Sequence, residues 1–238
     1  MRYTMPENGR AIQLLARRPP PAPEPIPIAV LYEDEWLLAA DKPAGMVVHP
    51  TYRNWSGTLL NGLLAHVRRA VQPRIITRLD KGTSGVVLVA LTPDVHRLVQ
   101  RDATARRLRK EYLAVVAGTP SPPAGSIEAP LARSAADRRR VVVDDAGRAS
   151  RTDYEVLSSE ADRSLLRCEL VTGRTHQIRV HLASRGWAVL GDSVYGAAYP
   201  GLARQALHAW RVTLPHPITR EILTIEAPLA ADLRAIIG

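Results

Sequence analysis

The chain has 238 residues, of which 46% are hydrophobic and 23% charged, which is ordinary for a globular protein of one large or two small domains. Its formal net charge of +9 favours a polyanionic partner, nucleic acid ahead of an anionic membrane. No stretch approaches the roughly 20 apolar residues of a membrane span, and the segment MRYTMPENGR lacks the apolar centre that a signal peptide has. The single cysteine, Cys168, excludes an internal disulfide, so the sequence indicates a cytoplasmic protein.

The N-terminal part of the chain differs in composition from the rest. Residues 1–27 end in RRPPPAPEPIP, whose prolines disfavour both helix and sheet. We expect a proline-rich leader there, with one marginal helix in GRAIQLLARR, and a folded domain over residues 28–238. That domain begins with two predicted strands around an acidic turn in IAVLYEDEWLLAADK, then a turn at KPAG and a third short strand.

The following segments predict helices and strands in alternation. SGTLLNGLLAHV has helical spacing with Ser56 as its N-cap, and GVVLVAL is a strand buried on both faces. A helix begins at the cap Thr92 with Pro93 in its first turn, and the strand KEYLAVVAG follows. A hairpin turning at residues 160–163, a helix in RTHQIRVHLASRG and a hairpin around PHPIT complete the chain. Strands joined by short turns predict an α+β fold on a mixed, largely antiparallel sheet flanked by helices.

One acidic residue lies between two cations just before the buried strand. In TRLDKGTSG, Asp80 lies between Arg78 and Lys81, and Gly82 and Gly85 permit a tight turn. An arginine beside a carboxylate favours the ionised form, and an ionised, oriented carboxylate can act as a nucleophile or a base. Taken alone, the segment fits an ordinary Asp–Arg pair that closes a turn better than it fits a reactive site.

A second group of polar residues surrounds the start of the helix in GRTHQIRVH. Arg174, His176, Gln177 and Arg179 can hold a phosphate or a base edge there, although they also fit a solvated basic helix. His176 and His181 are five residues apart, which directs them to different faces and argues against a metal site. The chain also has no P-loop and no GxGxxG segment.

Aromatic and basic residues elsewhere are candidate nucleic-acid contacts. Tyr112 lies beside two cations in RKEYLAVV, which suits base stacking, although a single Tyr in a strand is more often half-buried in the sheet. Two arginine-rich runs, RDATARRLRKE and ARSAADRRRVVVDDAGRASR, fit either RNA contact or a solvated face. The strongest candidates for gripping RNA are Arg138, Arg139 and Arg140.

The chain also carries an ordered set of sequence blocks. They are DKPAGMVVHP, TRLDKGTSGVVLVAL and TGRTHQIRVHLASRGWAVLGDSVYG, with KEYLAVVAG between the last two and LHAWRVTLPHP after them. This order resembles the RluA-type pseudouridine synthase family over residues 28 to 230. The resemblance implies the pseudouridine synthase fold, with an active-site cleft across the central sheet. It also implies isomerisation of a uridine to pseudouridine in ribosomal or transfer RNA, without cofactor or metal.

The resemblance assigns roles to particular residues. It implies that Asp80 is the nucleophile, that Tyr112 stacks on the base and takes part in removing the proton from carbon 5, and that Arg179 pairs with the catalytic carboxylate. Arg78 would displace the base or hold its phosphates. The target uridine must be flipped out of its stack at a cost of a few kcal/mol. Thr77 stands where the family often has His, so the local packing is expected to differ.

Two other functions remain open at this level. The first is an RNA-binding or ribosome-assembly factor with the same fold, in which catalysis is secondary. The second is a carboxylate-dependent glycosidase, which needs a second acid near Asp80. Nothing in the sequence ties Asp41 or Asp192 to that residue. We expect a monomer that acts on RNA, with no membrane association and no protein partner.

Overall fold

A ten-stranded sheet runs through the part of the chain that the computed structural model describes, which is residues 20–51, 54–67 and 72–237. The helices are α1 (Leu59–His66), α2 (Pro93–Thr104), α3 (Gln177–Ser184) and α4 (Ala231–Ile237). The strands are β1 (Ala29–Glu33), β2 (Leu37–Lys42), β3 (Arg74–Ile75), β4 (Ser84–Ala90), β5 (Arg109–Ala117), β6 (Ala124–Glu128), β7 (Leu131–Arg133), β8 (Val141–Val143), β9 (Arg151–Ser159), β10 (Arg163–Leu170), β11 (Leu207–Pro215) and β12 (Ile222–Glu226).

The strand order of the sheet is β1-β2-β4-β11-β5-β10-β9-β6, with β3 added to β4 and β12 added to β11. The pairing of β4 with β11 is parallel, and the other pairings of the sheet are antiparallel. Strands β7 and β8 form a separate two-stranded ribbon. The predicted α+β fold on a mixed, largely antiparallel sheet is therefore confirmed. Among the helices that the structure describes, none combines the length and the apolar character needed to cross a membrane.

Strand β4 is buried along its whole length because helices cover both of its faces. Val86 and Leu88 pack with apolar residues of α2, while Val87 and Val89 point the other way and pack with α1. This double burial explains why the strand reads as an unbroken apolar run, as predicted. Thr77, which lies shortly after β3, accepts a hydrogen bond at 2.8 Å from the Leu88 amide and so ties the segment that leads to Asp80 to this strand.

Several predicted boundaries agree with the structure. Helix α2 begins as expected, since the Thr92 hydroxyl accepts a hydrogen bond from the Val95 amide at 3.2 Å and Pro93 follows. The hairpins β9–β10 and β11–β12 form where they were predicted. Helix α3 also forms, and Gly186 follows its end with φ +81°.

Two predictions near α1 are wrong. The N-cap is Thr58 and not Ser56, because Thr58 and Asn61 exchange the two hydrogen bonds of a capping box. The third short strand after the KPAG turn does not form. The carbonyls of Val47 and Val48 accept hydrogen bonds from the first amides of α1, so they are not available to a neighbouring strand.

The leader lies partly outside the described residues, and so does the predicted helix in GRAIQLLARR. Residues 20–28 form neither helix nor strand, and they contact α1. The Glu24 amide donates to the Asn61 carbonyl at 3.0 Å, and the Asn61 side chain donates to the Ala22 carbonyl at 2.8 Å. The boundary near Ile28 between leader and domain stays a prediction.

The close approach of β4 to β11 depends on Gly85, which yields a testable prediction. Gly85 has φ +108°, and an added Cβ would lie 2.1 Å from the Ala209 carbonyl oxygen. We expect Gly85→Ala to lower the free energy of unfolding by about 3 kcal/mol, from backbone strain plus overlap. Gly118→Ala is the matched control, since Gly118 has φ +73° with open space around it, and should cost about 1 kcal/mol. Urea unfolding that gave equal losses for both variants would contradict this.

Candidate active site

A cleft with an empty volume of about 360 Å³ opens where the turn before β4, strand β5 and helix α3 meet. The candidate residues from the sequence gather here, with the exception of Arg138, Arg139 and Arg140. The cleft is lined by Arg78, Leu79, Asp80, Thr83, Tyr112, Leu170, Arg174, His176, Gln177, Ile178, Arg179 and Leu207.

The centre of the cleft wall is an arginine held between two carboxylates. Arg179 donates from Nη1 to Asp80 Oδ2 at 2.8 Å, and its Nε and Nη2 atoms form a fork to both oxygens of Asp192 at 2.6 and 2.8 Å. The side chains of Arg179 and Asp192 are only 6% and 1% exposed, whereas Asp80 is 27% exposed. The buried pair therefore presents one guanidinium nitrogen to a carboxylate that solvent, or a ligand, can reach.

Both members of this buried pair stay charged. Burial acts to lower the pKa of Arg179, but the hydrogen bonds and charges of Asp192 and Asp80 outweigh it and raise that pKa. Burial acts to raise the pKa of Asp192, but Arg179 and two backbone amides lower it. The amides are those of Val194 and Tyr195, which donate to Asp192 Oδ1 at 2.9 and 3.2 Å. Asp192 is thus fully occupied, and it offers no free acid for a glycosidase mechanism.

The start of α3 is shaped by Gln177. Its side-chain oxygen accepts hydrogen bonds from the Thr172 hydroxyl and the Arg174 amide at 2.7 and 3.0 Å. Its amide nitrogen donates to the Thr152 hydroxyl at 3.0 Å and to a backbone carbonyl of β9 at 2.9 Å. His176, which precedes it, adopts a left-handed backbone with φ 55°. Because Gln177 is buried and engaged on both sides, it orients the helix that carries Arg179.

A buried lysine forms a hydrogen bond to the backbone of the turn that carries Asp80. Lys42, at the end of β2, is 0% exposed and donates from Nζ to the carbonyls of Pro43, Met46 and Lys81 at 2.8, 2.8 and 3.3 Å. Burial, together with the charge of Arg204, lowers the pKa of Lys42 to about 8, although Asp80 opposes this shift. Sequence reasoning missed this residue, whose only signal is a lysine that ends an apolar strand.

The segment before β11 holds the same turn from the other side. Arg204 donates to the Gly82 carbonyl at 3.1 Å and pairs with Asp232 of α4 at 2.6 Å. Gln205 donates to the Thr83 hydroxyl at 3.1 Å, and the Thr83 amide donates to the Asp80 carbonyl at 3.0 Å. The backbone around Asp80 therefore has little freedom, which suits a group that must be positioned accurately.

Tyr112 forms part of the cleft from strand β5. It lies between Cys168 of β10 and Ala209 of β11 in the register of the sheet, and it is 7% exposed. Burial raises the pKa of its phenol, and the negative charge of Asp80 raises it further. The phenol is therefore neutral at physiological pH. Cys168 beside it is fully buried, and burial raises the pKa of its thiol to about 12, so it is not a nucleophile.

The two histidines of α3 diverge, as their spacing predicts. His176 Nε2 lies 3.8 Å from Asp80 Oδ2 at the cleft wall. His181 is buried, and its ring contacts the Thr152 hydroxyl at 2.9 Å and the Ala129 carbonyl at 3.1 Å. In the described ranges, no group of three or more His, Cys, Asp or Glu side chains is arranged to hold a metal ion.

The three candidate arginines outside the cleft lie on the loop between β7 and β8, and all three are exposed. Arg139 pairs with Asp137 at 3.0 Å. The guanidinium carbon of Arg140 lies 5.5 Å from the centre of the Tyr195 ring, and that of Arg179 lies 5.0 Å from the same ring. Tyr195, which sequence reasoning did not single out, thus connects the β7–β8 ribbon to the cleft.

Comparison with known proteins agrees with this architecture. Residues 37–184 match the family model described as RNA pseudouridylate synthase. The structure superimposes on human RNA pseudouridylate synthase domain containing 1 with a TM-score of 0.72 at 25% identity, covering 88% of this chain and 87% of that one. A second human protein, RNA pseudouridylate synthase domain containing 4, gives a TM-score of 0.69 at 25% identity, covering 87% and 90%.

Curated relatives lead to the same family. The chain is 44% identical over 226 residues to ribosomal large subunit pseudouridine synthase D of Nitrosomonas europaea, which covers 90% of this chain and 65% of that protein. It is 39% identical over 232 residues to the protein of the same name from Zymomonas mobilis, covering 90% and 73%. The chain therefore belongs to the RNA pseudouridylate synthase family, which confirms the resemblance found in the sequence blocks.

Proposed function

We propose that the protein isomerises a specific uridine of a structured RNA, ribosomal or transfer RNA, to pseudouridine, with Asp80 as the nucleophile. The observation that carries this proposal is the Asp80 carboxylate at the cleft wall, held at 2.8 Å by the buried Arg179. The relatives from Nitrosomonas and Zymomonas are named for the large ribosomal subunit, which favours ribosomal RNA as the substrate. A cytoplasmic monomer without metal or cofactor remains our prediction.

The reaction requires one group that bonds to the substrate and then leaves. Asp80 attacks either the uracil or the ribose, the bond from C1′ to N1 breaks, and the uracil turns within the cleft. A bond from C5 to C1′ then forms, C5 loses its proton, N1 gains one, and Asp80 is released. Product and substrate are isomers, so the balance needs no oxidant, reductant or added group. The protein orients the carboxylate and retains the uracil while it turns.

Tyr112 is assigned to packing against the flipped uracil from the floor of the cleft. In the free protein its neutral phenol is not ready to accept a proton, because burial and the Asp80 charge both raise its pKa. A covalent bond to Asp80 removes that negative charge. The pKa of Tyr112 then falls, although burial still raises it, so the phenol ionises more readily and can take the C5 proton more easily after the nucleophile has reacted than before. The reaction of Asp80 and the later ionisation of Tyr112 are therefore coupled through the charge of the Asp80 carboxylate.

The entry of RNA is assigned to the exposed cations around the cleft. Arg78 and Arg174 are exposed residues that also line it, so they can contact phosphates beside the flipped nucleotide. Those contacts help offset the few kcal/mol that base flipping costs. His176 faces the same space from the cleft wall. Gln177 is better assigned to positioning α3 than to RNA, since its amide is engaged within the protein.

The proposal predicts the outcome of a tritium-release assay. The substrate is RNA labelled at C5 of uridine and taken from cells that lack the enzyme, so that the target is unmodified. We expect release by the wild type, a loss of at least about 1,000-fold in Asp80→Asn because the nucleophile is gone, and RNA affinity within about threefold. Asp94→Asn is the control, since Asp94 is an exposed residue of α2 that does not line the cleft.

Activity of Asp80→Asn at the wild-type rate would refute the nucleophile assignment. A wild type that binds this RNA but releases no tritium would favour the alternative function, an RNA-binding or assembly factor.

The β7–β8 ribbon generates a prediction about binding. If Arg138 and Arg139 contact phosphates, Arg138→Ala/Arg139→Ala should weaken RNA binding and make the plot of log affinity against log salt shallower by roughly 0.7–0.9 per lost contact. Arg234→Ala is the matched control, because Arg234 is an exposed arginine of α4. Fluorescence anisotropy at several salt concentrations measures both. An unchanged slope in the double variant would remove the ribbon from the RNA contact surface.

A further inference from the structure

A chain of hydrogen bonds runs from the β7–β8 ribbon to the cleft through Tyr195. The Val141 amide of β8 donates to the Tyr195 hydroxyl oxygen at 2.8 Å. The same hydroxyl lies 2.8 Å from Nδ1 of His176. The other ring nitrogen of His176, Nε2, lies 3.8 Å from Asp80 Oδ2. The reaction as described above gives Tyr195 no role.

The direction of these hydrogen bonds selects a histidine tautomer. A phenol has one proton to donate, and the oxygen of Tyr195 already accepts one hydrogen bond from a backbone amide, which has no alternative but to donate. The Tyr195 proton is then directed to Nδ1 of His176, which acts as the acceptor. A neutral imidazole that accepts at Nδ1 carries its own proton on Nε2.

The opposite side of the imidazole ring favours the same tautomer. Nε2 faces a carboxylate oxygen at 3.8 Å, which is too long for a direct hydrogen bond but close for electrostatics. A lone pair on Nε2 would face that negative charge and be repelled, whereas an N–H turns its positive end to it. Two independent contacts, one at each ring nitrogen, thus agree.

We propose that Tyr195 is a positioning residue that holds His176 as the Nε2–H tautomer, so that the imidazole turns an N–H towards Asp80. The backbone of β8 takes part, because its amide directs the tyrosine hydroxyl. The ribbon that carries Arg138, Arg139 and Arg140 is therefore linked to the nucleophile through one tyrosine and one histidine. The catalytic consequence rests on the function proposed above, while the tautomer itself does not.

The surroundings keep this arrangement in place. The guanidinium groups of Arg179 and Arg140 lie over the Tyr195 ring at 5.0 and 5.5 Å, and the His176 ring meets it edge-on with centroids 5.6 Å apart. Burial lowers the pKa of His176, as do the charges of Arg179 and Arg133, against the opposing effect of Asp80 and Asp192. The imidazole is thus neutral at physiological pH, and burial raises the pKa of Tyr195, which keeps its proton available to donate.

The tautomer can be measured by NMR of protein labelled with ¹⁵N in its histidines. In the wild type we expect the His176 resonances of a protonated Nε2 and of an Nδ1 that accepts a hydrogen bond. In Tyr195→Phe the Nδ1 resonance should move to that of an acceptor without a partner. Tyr199→Phe is the matched control, since it removes a hydroxyl bonded to Arg163 and should leave His176 unchanged. A wild-type His176 protonated at Nδ1 would overturn the proposal.

The effect on catalysis is measured on the same variants. Tyr195→Phe keeps the ring and its arginine contacts, so we expect kcat for tritium release to fall about tenfold with KM for RNA unchanged, while Tyr199→Phe keeps the wild-type kcat. A wild-type kcat in Tyr195→Phe would overturn the positioning role. A wild type without any release, but with the expected NMR spectrum, would refute the proposed function and leave the tautomer assignment standing.

Discussion

The structure depends on one guanidinium buried between two carboxylates. Arg179 has almost no contact with solvent, and a buried charge of this kind is tolerated only when it is paired and hydrogen-bonded. Asp192 supplies two of its bonds and Asp80 a third. Removing either partner of a buried pair typically costs about 3–5 kcal/mol. The cost of leaving Arg179 unpaired is therefore a reason for the chain to keep these three residues together.

The pairing of the strands brings residues that are far apart along the chain to the Arg179 guanidinium. Asp80 and Arg179 are 99 positions apart along the chain. The parallel contact of β4 with β11 sets where the Asp80 turn emerges, and the tight fit at Gly85 allows those strands to meet. Gln177 forms hydrogen bonds that fix the start of α3 to β9, so that Arg179 is directed towards Asp80. Lys42 and Arg204 then hold the turn through its carbonyls.

The features with local causes could be predicted from the sequence. An unbroken apolar run predicts strand β4, and Thr92 and Pro93 predict the start of α2. The family resemblance predicted Asp80, Tyr112 and Arg179 as site residues, because sequence motifs can be matched without knowing where the residues lie in the fold. At α1 the error was a choice between two caps two residues apart, and local signals do not decide between Ser56 and Thr58.

The features that sequence reasoning missed depend on tertiary contacts. Asp192 is linked to Asp80 through Arg179, and no spacing along the chain reveals that bridge. In the sequence Lys42 is simply the last residue of a strand, yet its ammonium group joins the Met46 carbonyl of the loop after β2 to the carbonyl of Lys81 beside Asp80. Tyr195 is one of seven tyrosines in the chain, and what distinguishes it is the pair of hydrogen bonds that its hydroxyl forms with β8 and His176 in the folded structure.

Asp192 holds Arg179 so that Arg179 orients Asp80, and single-turnover kinetics of Asp192→Asn shows whether the reaction depends on this contact. Asn keeps the shape of the side chain but removes its charge and one of its acceptor oxygens. We expect the folded variant to form pseudouridine about 100-fold more slowly than the wild type, with RNA affinity retained, and to be less stable. A folded Asp192→Asn protein with the wild-type rate would show that Asp192 does not position Asp80 through Arg179.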